Sequence, residues 1–247
     1  MSFNIHHGVG TDNVLDLQRI AGIVRDEDVD IVGLQEVDRH WSERSDFVDQ
    51  AAWLASELHM HVVYGASLDL DPLEPGQPRR QYGTAMLSDA PILDWDNAFL
   101  PRFEGHEQRG LLRARVVVRG VPVLVYNTHL EHNNAAERVE QAQAIKSLIG
   151  TPKASVILLG DLNATPETPE VATLVDDLVD AWEQAGVGGG GHTIPSEQPN
   201  RRIDYVLTSQ DVVARFATVV TSTASDHRPV HADLLLPGSK AGVGASR

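Results

Sequence analysis

Val156–Asn163, VILLGDLN, sets an unbroken aliphatic run ahead of Gly160 and then spaces a carboxylate and an amide two residues apart. A short apolar run bounded by turn-forming residues is a strand buried on both faces, as in the interior of an α/β protein. The same grammar recurs along the chain: Asn4 in SFNIHHG, Glu36 in DIVGLQEVD, Asn127–His129 in VLVYNTHL, Asp204 in RIDYVL and Asp226–His227 in SDHRPV. Each polar island is read as the end of an apolar, strand-like run. Strand ends of this kind converge on one edge of a sheet, where α/β proteins build their sites. Carboxylates, amides and imidazoles gathered there suit a hard divalent cation with a water-activating base beside it.

Outward from these islands, strand and helix patterns alternate in the first half. Asp12–Arg25 places Val14, Leu17, Ala21 and Val24 at helical spacing, with Thr11 or Asp12 as the cap. Asp46–His59 carries Phe47, Ala51, Leu54 and Leu58 on one face, and HVVYGAS follows as a strand. A loop rich in Pro and Gly, DPLEPGQPRR, leads into YGTAMLS. From Pro91 strands follow one another, with GLLRARVVV and VPVLVYNTHL joined in a hairpin at Arg119–Gly120. A third helix spans about Asn134–Ile149, and ASVILLGDLN, RIDYVLTS and VHADLLL complete a second sheet. The expected fold is an α/β sandwich, two packed sheets covered by helices. Residues 1–237 are read as the folded domain and 238–247 as a disordered tail. Gly186–His192 is too rich in glycine for regular structure and is either a substrate lid or a linker.

Composition narrows the class. The 247 residues are 42% hydrophobic, enough for a full core. Cysteine is absent, which excludes disulfides and thiolate metal sites. The formal net charge of −15 repels nucleic-acid backbones unless a local patch overrides it. Basic residues cluster only at Arg79–Arg80, Arg113–Arg115–Arg119 and Arg201–Arg202. No apolar run approaches membrane-spanning length, and the start lacks the regions of a secretory signal. A cytoplasmic monomer is expected, unless the true start lies upstream of Met1, where the first strand is only a few residues long.

The ordered set NIHHG, LQEVD, YGTAMLS, NTHL, GDLNATP, RIDYVL and SDHRPV, reaching from Asn4 to about Leu236, resembles the endonuclease/exonuclease/phosphatase superfamily. GDLN with SDHRP at this spacing is specific for the superfamily and not for a substrate within it. The resemblance implies a DNase I-like four-layered α/β sandwich, two mixed sheets flanked by helices. It implies hydrolysis of phosphoester bonds with Mg²⁺ or Mn²⁺. The metal residues it implies are Asn4 and Glu36, with Asp226 facing the metal. His227 becomes the general base, held by Asp204, while Asp161 and Asn163 position the nucleophile and the phosphoryl oxygens. His129 would contact the phosphate, and Tyr82 and Arg109 occupy places of phosphate or leaving-group contacts. His7 follows Asn4 closely and is placed with the substrate. Acidity, the lack of an exposed aromatic hairpin and the lack of extra basic motifs leave a small soluble phosphodiester or phosphomonoester as the expected substrate. A nuclease with a local arginine rim and a non-catalytic binding protein are the alternatives.

Overall fold

The computed structural model describes residues 1–151 and 153–238; residues 239–247 of the expected tail lie outside the described residues. The first sheet is built from β1 (Ser2–Asn4), β2 (Ile31–Arg39), β3 (His61–Leu70) and β4 (Arg80–Ser88), joined by two strands from the end of the chain. The second sheet uses β5 (Ile92–Phe99), β6 (Gly110–Val118), β7 (Val121–His129), β8 (Ser155–Asp161), β9 (Val179–Asp180) and β10 (Asp204–Thr208). The chain then returns to the first sheet with β11 (Val213–Val219) and β12 (Val230–Leu235). Strand orders are β11-β12-β1-β2-β4-β3 and β5-β6-β7-β8-β10-β9. Each sheet has a single parallel pair at its centre, β1 with β2 and β7 with β8, and is otherwise antiparallel.

Helices α1 (Leu17–Asp26) and α2 (Gln50–Leu58) cover the outer face of the first sheet, packing on Phe3, Val32 and Leu34. Helices α3 (Ala135–Ile149) and α4 (Pro169–Val175) cover the second sheet over Tyr126, Val156 and Leu158. Between the sheets lie Met86, Leu112, Val125, Ile157, Leu159 and Val206. Val156 and Leu158 therefore face helices while Ile157 and Leu159 face the opposite sheet. Burial on both faces is why this run is continuously apolar rather than alternating. The result is the four-layered sandwich, two mixed six-stranded sheets flanked by helices.

A polar staple crosses the middle layer. Asn127 Nδ2 donates to Leu34 O (2.9 Å) and Ala85 O (2.8 Å), and its Oδ1 accepts from Gln35 Nε2 (2.7 Å). Gly33 leaves room for it: a Cβ there would lie 2.9 Å from the Asn127 side chain. Asn127, read as part of a polar island, thus ties one sheet to the other.

Helix starts differ from expectation. α1 begins after Asp16, whose carboxylate accepts from Gln18 N and Arg19 N, and Val14 is 51% exposed. Asp12, read as a cap, instead accepts from Val14 N and pairs with Arg19. α2 begins after Asp49, which accepts from Ala52 N, and Phe47 lies outside it in a left-handed conformation (φ 52°). α3 starts after Asn134 as expected, its side chain accepting from Glu137 N. The Arg119–Gly120 hairpin is present, with φ of 51° and 85° at the two turn residues, the left-handed pair that a two-residue loop requires. α4, the short α5 (Ala181–Ala185), β9 and β11 were not anticipated. The Gly186–His192 stretch packs on its neighbours: Val187 N donates to Ala217 O, and a Cβ at Gly191 would strike Trp182 and Arg202. The segment after it, Thr193–Ser196, pins the SDH loop through Arg228 N→Thr193 O and Ser196 N→Asp226 O, both 2.8 Å.

Candidate active site

The parallel pairs deliver side chains from their C-terminal ends: Asn4 from β1, His129 from β7 and Asp161 from β8. Their antiparallel neighbours deliver from their starts at the same edge: Tyr82 on β4, Arg109 before β6, Asp204 on β10, and Asp226–His227 before β12. Two of the six islands, Asp204 and Asp226–His227, are therefore strand beginnings, not ends. Glu36 lies inside β2, where the register against β4 slips by one residue between Leu34 and Val37. A bulge of this kind re-aims one side chain, and Glu36 pays for it with φ of 57°.

Asp161 is the centre. Its Oδ1 accepts from Asn163 N (2.8 Å), closing the GDLN turn and holding Asn163 at φ 50°. Its Oδ2 accepts from Asn4 Nδ2 (3.0 Å) and faces His129 Nε2 at 3.6 Å and His227 Nε2 at 3.7 Å. Asn4 Nδ2 also donates to Glu36 Oε1 (3.1 Å), while Asn4 Oδ1 accepts from His6 N (3.0 Å). Burial, then the Asp204 carboxylate, push the Asp161 carboxyl above its ordinary range.

His227 Nδ1 lies 2.8 Å from Asp204 Oδ2. An ionised carboxylate only accepts, so Nδ1 carries the proton and Nε2 is turned toward Asp161. Burial opposes charge on this imidazole, but Asp204, Asp161 and Asp226 outweigh it and raise its pKa to about 10. Asp204 Oδ1 is buried without a hydrogen-bond partner.

His129 has the opposite setting. Arg109 Nη1 (3.2 Å) faces its Nδ1, and the Asn163 amide (3.0 Å), which also donates to Leu130 O, faces its Nε2. Donors on both sides disfavour an imidazolium, and burial, then Arg109, lower its pKa well below the usual value. His129 is thus a neutral group behind Asn163. Arg109 is 4% exposed and is occupied by His129, His132 and Glu107, so in this arrangement it orients His129 from within the protein.

The first-sheet side is more open. His6 and His7 turn the chain after β1 with φ of 45° and 44°, and Gln50 Nε2 holds His7 O at 2.6 Å. Burial, then Arg44, lower the His7 pKa to about 4, leaving it neutral. Asp226 meets His6 (3.9 Å) rather than Glu36, and its side chain is 46% exposed. Tyr82 is buried, with the Arg44 guanidinium 5.5 Å from its ring centroid and Trp41 tilted against it at 5.9 Å. Arg44 is held by Asp38 through two hydrogen bonds of 2.8 and 2.7 Å. Arg44, Trp41 and Asp38 escaped the sequence reading. Their only signal is the stretch DRHWSER just past LQEV, which carries no motif. Two further cations of the chain are paired with carboxylates, Arg79 with Asp69 and Asp71, and Arg113 with Asp94 and Asp96. Arg202 is buried against Asp180 and Glu183.

The donor set fits a divalent cation. Glu36, His6 and His7 each bring one ligand atom within 4.8 Å of the others, as do Asp161, Asp204 and His227. His7 Nδ1 is buried without a hydrogen-bond partner, an orphan that a cation would satisfy.

The chain is similar to an endonuclease/exonuclease/phosphatase from Beutenbergia cavernae, 29% identical with a TM-score of 0.84, over 96% of this chain and 71% of that one. A Bacteroides thetaiotaomicron mannosyl-6-phosphatase superposes with a TM-score of 0.77 at 21% identity, over 95% of this chain and 98% of that one, a likeness of fold. Protein cwh43 of Schizosaccharomyces pombe is 26% identical over 171 residues, 67% of this chain but 16% of that protein, so the chain spans about a sixth of its length. The model of the Endonuclease/Exonuclease/phosphatase family matches residues 1–227, and with the buried Asp161–Asp204–His227 group at the shared sheet edge the chain belongs to that family.

Proposed function

We propose that the protein is a divalent-cation-dependent phosphoesterase acting on a small soluble phosphomonoester or phosphodiester. Members of the family are generally hydrolases of phosphoesters. The observation that carries the reading is the Asp204–His227 pair, 2.8 Å apart, with His227 Nε2 aimed across 3.7 Å at Asp161 Oδ2 beside the Asn4–Glu36 bond. Water over that gap meets two groups able to take its proton, and His227 Nε2 is the one whose other nitrogen is fixed. As the water oxygen bonds to phosphorus, its proton passes to His227 Nε2. Asp204 stabilises the imidazolium and the P–O bond to the leaving group breaks. The two Nδ2 hydrogens of Asn163 are held by His129 Nε2 and Leu130 O, so Asn163 would donate to a phosphoryl oxygen only by releasing His129. Mg²⁺ or Mn²⁺ at Glu36 would neutralise phosphoryl charge and favour the unprotonated form of His227 at neutral pH.

Among the described residues, Arg79, Arg113 and Arg202 are paired with carboxylates while Arg80 and Arg201 are not. With the net charge of −15 this supports a small ester over a polynucleotide, because duplex-tracking surfaces need many free cations along one edge. The test is hydrolysis of p-nitrophenyl phosphate, its bis-ester, mannose 6-phosphate and an abasic-site duplex, each with Mg²⁺, Mn²⁺ or EDTA. Turnover of a small ester that EDTA abolishes is expected. Cleavage of the duplex at catalytic enzyme, with the small esters untouched, would make the protein a nuclease and overturn the substrate class.

A further inference from the structure

His6, His7 and Glu36 all adopt φ between 44° and 57°. Side-chain-bearing residues rarely occupy that region, and clusters of such residues mark sites where backbone strain serves a ligand. Other residues of the chain share this conformation, but these three lie together, each with a ligand atom within 4.8 Å of the others. His6 Nδ1 lies 3.2 Å from Val9 O. A carbonyl only accepts, so Nδ1 holds the proton and Nε2 keeps its lone pair. Metal-bound imidazoles are commonly held in just this way, by a backbone carbonyl on the other nitrogen. His7 Nδ1 is buried with no hydrogen-bond partner.

Asn4 does not compete as an oxygen donor. Its Oδ1 is taken by His6 N at 3.0 Å, and its Nδ2 is shared between Glu36 Oε1 and Asp161 Oδ2. Turning the amide over would set donor against donor at His6 and acceptor against acceptor at Glu36. Its place is to orient Glu36.

We propose that Glu36 holds the cation of this site together with imidazole nitrogens of His6 and His7, so that the site selects a late first-row dication such as Co²⁺ or Zn²⁺ over Mg²⁺. This rests on the reading of the site as cation-dependent. Imidazole suits late first-row dications, whose affinities rise across the series, whereas Mg²⁺ favours oxygen donors and water.

The experiment measures binding without turnover. Chelator-treated full-length protein, His6→Gln and His7→Gln are titrated with Co²⁺ and with Mg²⁺ by calorimetry, after circular dichroism has verified their fold. Pulsed EPR of the Mn²⁺-loaded forms reads ¹⁴N coupling. Co²⁺ is expected to bind at least about 100-fold tighter than Mg²⁺. Each substitution should weaken Co²⁺ by about 10- to 100-fold, change Mg²⁺ little, and diminish the ¹⁴N coupling. Absence of ¹⁴N coupling in the wild type, or equal losses for Co²⁺ and Mg²⁺, overturns the proposal. If His7→Gln fails to fold, the wild-type coupling and His6→Gln decide. Either result leaves hydrolysis to be judged by its own assay.

Discussion

The two sheets share a plan and differ in how they present the same edge. Each has one central parallel pair flanked by antiparallel strands, and each delivers residues from strand ends and strand starts. On the second sheet, Asp161, Asp204 and His129 are 1%, 1% and 7% exposed and are held by hydrogen bonds to one another's neighbours. On the first, Glu36, His6 and His7 are half-buried and reach the site only through left-handed backbone at a bulge and a tight turn. His227 is the exception that joins them: carried by the first sheet, it is buried against Asp204 of the second. The difference teaches a division of labour. Under the proposed function the dry, preorganised wall would handle the proton, and the strained, accessible wall would be left for ligand and cation.

If the second-sheet wall handles the proton, its charge matters more than its shape. Asp204→Asn keeps the size of the side chain but removes the charge that fixes the His227 tautomer. A fall in kcat of about 10³-fold with KM nearly unchanged is expected, and steady-state kinetics checks it. A loss of less than tenfold would break the comparison. The staple between the sheets should act on stability instead. Asn127→Ala takes the amide donor from Leu34 O and Ala85 O in the core, while Gln35 Nε2 keeps Ser2 Oγ and Gly33 O. A cost of about 3 kcal/mol is expected in urea unfolding, since each orphaned buried group costs about 1–3 kcal/mol.

The pH dependence separates the walls further. The His227 pKa of about 10 stands above its ordinary value of 6.5. The metal-free protein therefore holds the full contribution of this group below about pH 6.5 and loses it as pH rises toward about 10. Urea unfolding across that window should show declining stability, and His227→Ala should flatten the decline. The smallest effect belongs to the strained wall. Glu36→Gly relaxes a left-handed position and should raise stability by about 0.5 kcal/mol, while cation binding measured by calorimetry is lost. A clear destabilisation would show that Glu36 serves packing rather than ligand binding.

What could be read from the sequence follows the same division. Asp161, Asn163, Asp204 and His227 lie in short motifs beside buried strands, and burial leaves an apolar pattern around them. The layers of the fold were legible for that reason, since Val156–Leu159 is apolar on both faces. The first-sheet wall depends on backbone conformation instead. Nothing in LQEVD signals a bulge, and His6–His7 contains no glycine to announce a positive φ. Asn127 stood among polar residues and so was grouped with them, although its partners are carbonyls of the other sheet. The helix starts went astray because Val14 and Phe47 fit an apolar stripe by spacing, while the caps that decide lie later, at Asp16 and Asp49. Arg44 is positioned by Asp38 and aromatic faces, a tertiary arrangement without local pattern.

The most direct test is turnover of the favoured small ester by His227→Ala against wild type, each with the activating cation and with EDTA. The account predicts a loss in kcat of at least about 10³-fold in the variant, with cation affinity retained and the fold intact by circular dichroism. A variant that keeps most of its cation-dependent activity would contradict it, because no other imidazole at the edge has a carboxylate fixing one nitrogen and its second nitrogen turned to Asp161.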